Sequence, residues 1–515
     1  MIKGAKNLIR VAIVALLAVS ATLPVLAQAQ PRNDQLSVAQ RRTLERYATD
    51  TWRSFVAMTN PQTGLTADNI NAETGAVAAY TSPTNIGSYI WSTLAARDLQ
   101  IIKPNEARDR IAHTLATVAT LERHEPSGMF YNWYNPATGA KLTVWPVDGG
   151  TVYPFLSSVD NGWLAAALII VTNTVPQLRA EAQAILDDMN FACYYDPQAG
   201  LLRGGFWDTT APPGSWPTGF YCNPNAGINV YYTGHHYGTL NTEPRIASYI
   251  GIAKDGIPAT HYFKMWRTFP NTCDWSWPEM RPEGVTRTYL GVDVFEGHYT
   301  YRGMNIVPSW GGSMFEALMV PLLVPEETWG PRSWGVNHPL YVQAQIEHGL
   351  EEADYGYWGF SPANQPEGGY REYGVDPLGM DPGGYTSDQE RTSVDYGWND
   401  PACPRPANIP TEYGNGVVTP HASFLALEFA PEAALENLAN IRDDFDAYSW
   451  GGFLDSINVG TGVVSDYYLA LDQGMIMASL GNALRNDRLQ HYFTRGEIER
   501  TIKPLLRMEE FTAGE

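Results

Sequence analysis

Apolar residues at helical spacing recur from one end of this 515-residue chain to the other, with no linker, charge block or low-complexity break between them. The period predicts helices over Val38–Met58, Asn85–Leu99, Pro104–Leu121, Val159–Val171, Val175–Phe191, Glu243–Ala253, Gly312–Leu323, His338–Glu352, Pro420–Leu427, Pro431–Phe445 and Asp466–Ala483. Pro104 ahead of Asn105-Glu106, Thr419-Pro420 and Ala430-Pro431-Glu432 are good helix starts. Val159–Val171, with Leu164-Ala-Ala-Ala-Leu-Ile-Ile170, is apolar nearly all round and must be covered on both sides, as an inner-ring helix is. Val38–Met58 carries Arg41, Arg42, Glu45, Arg46 and Asp50 on one face and suits an outer ring. Strand-like alternation is confined to short pieces such as Gly128–Tyr134 and Lys141–Trp145. The expectation is an all-α toroid whose long Gly- and aromatic-rich loops carry the chemistry on one face. A two-domain helical arrangement is the alternative.

Charged residues make up only 17% of the chain, below the roughly 25% of an average soluble domain. With 44% hydrophobic residues, this excludes a disordered chain. The net charge of −21 excludes the broad basic surface of a nucleic-acid binder. Sixteen Trp and 29 Tyr exceed ordinary core needs. Sugars are the ligand class that uses such a surplus, because their apolar faces stack on aromatic rings, although any single Trp can equally be core.

Lys3, Lys6 and Arg10, the apolar stretch Val11–Leu23 and Ala27-Gln-Ala29 read as a cleaved export signal over residues 1–29. Its removal takes away three positive and no negative charges, moving −21 to −24. A single catalytic domain over 30–515, secreted or periplasmic, without a membrane span, is expected as a monomer or homodimer. Cys193, Cys222, Cys273 and Cys403 match no zinc or redox spacing and suggest two disulfides, with three pairings open.

No HExxH, GxxxxGK[ST], EF-hand or GxSxG pattern occurs. His235-His236 reads as loop, and no cofactor is expected. Structural calcium is conceivable in the acidic loop from Asp376 through Asp381, Asp388, Asp395 and Asp400.

What calls for explanation is carboxylates set among apolar, aromatic and glycine residues: Asp160, Glu243, Glu316, Asp455 and Asp472. Helix capping is the bland account of all five, most convincing for Asp160 and for Asp466. It serves Glu316 poorly, because Gly311-Gly-Ser313 already supplies a cap, although a Ser313–Glu316 capping box stays open. Glycosidic cleavage needs such acids: one kept neutral by an apolar setting protonates the leaving oxygen, while a second attacks the anomeric carbon or activates water.

The stretches Thr81-Ser-Pro-Thr-Asn-Ile-Gly87, Leu121-Glu-Arg-His124, Tyr131-Asn-Trp-Tyr134 and Ser158-Val-Asp-Asn-Gly162 form an ordered set. It continues through Glu243-Pro-Arg-Ile-Ala-Ser248, Pro308-Ser-Trp-Gly-Gly-Ser-Met-Phe-Glu316 and Tyr357-Trp-Gly-Phe-Ser361. It ends with Val418-Thr-Pro-His-Ala-Ser423, Gly452-Phe-Leu-Asp-Ser-Ile-Asn458 and Asp466-Tyr-Tyr-Leu-Ala-Leu-Asp-Gln-Gly474. Together they resemble the bacterial glycoamylase-like family, which includes the family 144 β-1,2-glucanases and the glycoamylase-like region of cyclic β-1,2-glucan synthases. The resemblance implies an (α/α)6 barrel with a glucan cleft. It implies Glu243 as proton donor and Glu316 as nucleophile or base. It implies substrate-binding roles for Asp160 and Asp455, and Asp472, Trp310, Trp358, Arg245, Tyr131 and Trp133 are expected to hold substrate beside them. The long insertion Asp376–Pro410 and the Cys-containing loops Phe206–Cys222 and Thr272–Trp277 depart from the pattern.

The expectation is therefore a glycoside hydrolase acting on a β-glucan, most of all a β-1,2-linked one. A transglycosylase with the same carboxylates and a non-catalytic glycan-binding protein are the alternatives. A lyase acting on uronates is disfavoured by the negative charge.

Overall fold

The computed structural model describes residues 36–213, 216–220, 229–272, 280–380 and 416–514. The expected export signal, Cys222, Cys273, Cys403 and the loop from Asp381 to Asp400 lie outside them. The helices are α1 (Val38–Met58), α2 (Pro83–Asp98), α3 (Pro104–Val118), α4 (Ser158–Thr174), α5 (Arg179–Asp188), α6 (Arg245–Ala253), α7 (Thr260–Lys264) and α8 (Met314–Leu318). They continue as α9 (Glu326–Trp329), α10 (Trp334–Glu347), α11 (Pro420–Ala426), α12 (Pro431–Asp444), α13 (Ala470–Arg485), α14 (Arg488–Thr494) and α15 (Glu497–Met508).

The packing has two layers. Helix α2 lies against α4, α4 against α6, α8 against α11, α11 against α13, and α13 against α2. Arg245 on α6 donates to the carbonyls of Glu316 and Ala317 on α8, which closes the ring of six. Outside it, α1 covers α13 and α2, α3 covers α2, α5 covers α4, α15 covers α6, α10 covers α8 and α12 covers α11. The expected all-α toroid describes this order, and the all-apolar helix is indeed an inner one, with Leu164 to Leu168 wholly buried.

Inner helices must come close, and small residues let them. A Cβ on Gly87 of α2 would sit 2.9 Å from the carbonyl oxygen of Trp163 on α4. One on Gly162 of α4 would meet Ala247 of α6 at 3.0 Å, and one on Gly474 of α13 would meet Ser88 of α2 at 2.6 Å.

The structure corrects several helix boundaries. Pro176 splits the segment expected over Val175–Phe191 into a 3-10 turn, Pro176–Leu178, followed by α5. The segment expected over Gly312–Leu323 shortens to α8, because Gly312 takes φ +67° and Pro321 ends the run in a 3-10 turn. Helix α13 starts at Ala470, not Asp466, because Tyr467–Leu469 pairs as a strand with Asn69–Asn71. Asp466 is exposed and caps nothing.

Strands are also more numerous than the sequence implied. Glu283–Tyr289 and Val292–Tyr301 form a hairpin whose turn residues Leu290 and Gly291 have φ +50° and +78°. Arg302 and Gly303 (φ +49° and +83°) make a second such turn to Met304–Ile306. A two-residue turn with two positive φ angles matches the twist of antiparallel strands. Loop strands Phe155–Ser157, Gly205–Trp207, Asn229–Tyr232 and Trp216–Phe220 form a four-stranded sheet beside α4.

Candidate active site

All six inner helices bring their N-terminal ends to one place. Asp160, Glu316 and Asp472 are each the third residue of their helix, α4, α8 and α13. His421 is the second residue of α11, and Thr84 and Asn85 open α2. Glu243 lies two residues ahead of α6. The partial positive charge of a helix N-terminus favours carboxylates there.

Capping belongs to neighbouring serines rather than to these acids. Ser157 accepts the N–H of Asp160 at 3.2 Å, and Ser313 accepts that of Glu316 at 3.2 Å. The carboxylates are left to face one another. Glu316 does not turn back to Ser313, so no capping box forms. Its Oε2 instead accepts the hydroxyl of Thr242 and the main-chain N–H of Glu243, the latter at 2.8 Å. Glu243 Oε1 accepts the indole N–H of Trp163 at 2.5 Å.

Burial drives the Glu243 carboxyl well above the ordinary carboxylate range, and the nearby charges of Glu316 and Asp160 push it further. Burial also raises Glu316, but its two donors oppose the rise. When the pair shares one proton, Glu243 is therefore its holder.

Asp160 Oδ1 accepts the Thr84 hydroxyl at 2.6 Å. Next to it, Asp68 accepts from Asn85 at 2.8 Å and Asn69 at 3.0 Å. Desolvation raises both acids. Asp68 in turn acts electrostatically on Asp472. Asp455 (2% exposed) and Asp472 (4% exposed) hydrogen-bond to each other, with His421 (1% exposed) beside them. Burial lifts Asp472 to about 7 and lowers His421 to about 4. Burial and then Asp472 push Asp455 up as well. Tyr370 is 55% exposed, so its ring lies at the rim of this row, and its phenol is held above its ordinary range with Asp472, Asp455 and Glu243 all acting on it.

The remaining expected residues divide. Trp310 is half-buried against Phe269, Met280, Tyr299 and Met380, and a parallel bridge from Ser309 to Asn241 places it near Thr242. Trp133 is half-buried, edge-on to Tyr80 and Trp145. Tyr131 is 4% exposed, its hydroxyl donates to Asp208, and the ammonium of Lys141 sits 4.1 Å from its ring centre. Its ring face is thus already occupied.

Two expectations are corrected. Trp358 is 1% exposed in the main core and offers no ring face to a ligand. Arg245 is wholly buried, bidentate to Glu326 at 2.8 and 2.9 Å and bonded to three main-chain carbonyls. It positions the segments that carry Glu243 and Glu316, and its guanidinium is spent on protein partners. Its partner Glu326 is held down at about 2, the guanidinium's attraction outweighing burial.

Asp68, Thr84, Thr242, Tyr370 and His421 were not among the expected site residues. Only Thr84 and His421 had a signal, since both lie inside the recurring motifs.

The N-terminal ends of the ring helices thus gather paired acids beside Trp163 and Tyr370, an arrangement able to exchange a proton with a bound ligand. Residues 281–497 match the family described as "Putative glucoamylase". Residues 46–198 match a family described as "Protein of unknown function (DUF3131)". The chain is 24% identical to the cyclic β-(1,2)-glucan synthase NdvB of Rhizobium meliloti (strain 1021), over 93% of its own length. It spans only 19% of that relative. Its fold is shared with the endo-β-1,2-glucanase of Chitinophaga pinensis, solved with sophorotriose and glucose (16% identity, TM-score 0.62, 91% of this chain and 98% of that one). A β-1,2-glucanase from Parabacteroides distasonis has the same fold (14% identity, TM-score 0.63, 92% of this chain and 61% of that one).

Proposed function

We propose that the protein is an exported glycoside hydrolase that cleaves β-1,2-glucan or its oligosaccharides. The observation that carries this reading is Glu243, a half-buried acid that desolvation and the charges of Glu316 and Asp160 push toward its protonated form, at the N-terminal ends of the ring helices. A neutral carboxylic acid in such a setting can donate a proton to a leaving glycosidic oxygen at neutral pH. Glu316, fixed by Thr242 and the Glu243 N–H, stands beside it as the second carboxylate. It attacks carbon 1 of the sugar, and the glycosyl-enzyme ester is then hydrolysed by water that Glu243 deprotonates.

A second route uses water held by Asp455 and Asp472 across Tyr370, favoured by the electrostatic contact of Tyr370 with both ends of the acid row. The linkage follows the two β-1,2-glucanases that share the fold. Export rests on the reading of residues 1–29 as a cleaved signal.

Incubation of the purified protein with a panel of linear glucans, read by chromatography, tests the substrate. Reducing ends should accumulate from the β-1,2-linked chain alone. Proton NMR of the first product formed separates the routes: retained β-anomer for attack by Glu316, α-anomer for attack by Asp-held water.

A further inference from the structure

We propose that His421 Nδ1, Asp455 Oδ1 and Asp472 Oδ2 form a binding site for a divalent transition-metal ion of the zinc class. The three side chains offer donor atoms that lie within 4.8 Å of one another, and among the described residues they are the one such group of three. Each donor atom is buried, His421 Nδ1 has no hydrogen-bond partner, and Asp455 and Asp472 have only each other on the side facing it. That is unusual for polar atoms taken out of water, and it singles out the place where a ligand would satisfy three groups at once.

The three residues are held from separate elements. His421 and Asp472 stand on the first turns of α11 and α13, which pack on each other. Asp455 is anchored by the N–H of Asn364, which its Oδ2 accepts at 2.5 Å. His421 Nδ1 lies 3.5 Å from Asp472 Oδ1, outside hydrogen-bonding geometry but aimed at the carboxylate pair.

The chemistry of the set fits the ion. One imidazole nitrogen and two carboxylate oxygens suit zinc better than magnesium or calcium, which take oxygen alone. Ligand distances of about 2.0–2.2 Å to zinc require the three donors to draw in slightly, and a fourth, open position stays for water. A bound ion also withdraws Asp455 and Asp472 from the acid row that faces Tyr370.

The test is calorimetric titration of the chelator-stripped full-length protein with zinc chloride at pH 7.5, followed by thermal unfolding with and without the metal. The expected result is one zinc per chain and a raised Tm. In both His421→Gln and Asp472→Asn, affinity should fall at least tenfold. X-ray absorption of the wild-type zinc form reads the ligands without a variant, and one imidazole with carboxylate oxygens is expected. Absence of binding by the wild type, equal binding by folded variants, or a shell of water or sulfur would overturn the assignment.

Discussion

One carboxylate oxygen of Glu316 accepts the main-chain N–H of Glu243 at 2.8 Å, so the backbone of the acid itself fixes its partner. The same oxygen accepts the Thr242 hydroxyl. Two consecutive residues thus orient Glu316, leaving its other oxygen for the cleft.

Replacement Thr242→Val removes one of those two donors while keeping the side-chain shape. A hydrogen bond to a charged group contributes about 1.5–3 kcal/mol, so kcat should drop roughly ten- to a hundredfold. KM should move little, and Thr242→Ser should restore most of the rate. Steady-state kinetics on the glucan decides it.

The indole N–H of Trp163 is the hydrogen bond that favours the ionised form of Glu243. Trp163→Phe removes it, and the Glu243 carboxyl then rises further. The limb of the pH–rate profile on which activity is lost by deprotonation of the acid should shift to higher pH. A shift to lower pH would show that Trp163 does not act on this group.

These donors mark where the sequence could and could not be read. Thr81–Gly87 was recognisable as a motif, yet its parts became separable only in space. Ser82 caps α2, Thr84 holds Asp160, Asn85 holds Asp68, and Gly87 admits α4. Glu243 and Glu316 stood out because an acid among apolar and glycine residues is costly without a purpose. Trp358 and Arg245 shared the motifs but serve the core, since a motif records that a residue is constrained and not which way it points. Asp68 had no local signal, for its neighbours Asp160 and Asn85 are brought together only by packing of α2 on α4. The hairpin after Glu283 was missed because Leu290 and Arg302 occupy turn positions where Asn or Asp is the usual marker.

Breaking the buried Arg245–Glu326 pair should unfold the protein more readily. Glu326→Gln leaves the guanidinium without its full counter-charge, a loss of about 3–5 kcal/mol when one partner of a buried pair is removed. Urea denaturation should show a lower midpoint with an unchanged slope.

Glu296 is wholly buried, and Arg267 spends its bonds on Glu509, so burial lifts the Glu296 carboxyl to about 8. A group raised on folding stabilises the native state below its unfolded value of about 4.3, and this contribution is lost as pH rises toward about 8. The Tm should therefore fall between pH 5 and pH 8, and Glu296→Gln should flatten that fall. An equal slope in the variant would assign the pH dependence to other groups.

The central claim is that Glu243 supplies the proton for glucan cleavage. The direct measurement is turnover of linear β-1,2-glucan by the wild type and by Glu243→Gln, each verified as folded by circular dichroism. General acid catalysis contributes typically 10²–10⁴-fold, so the variant should turn over slower by about that factor while still binding the glucan. Cleavage by Glu243→Gln at the wild-type rate, or an inert wild type, would contradict it.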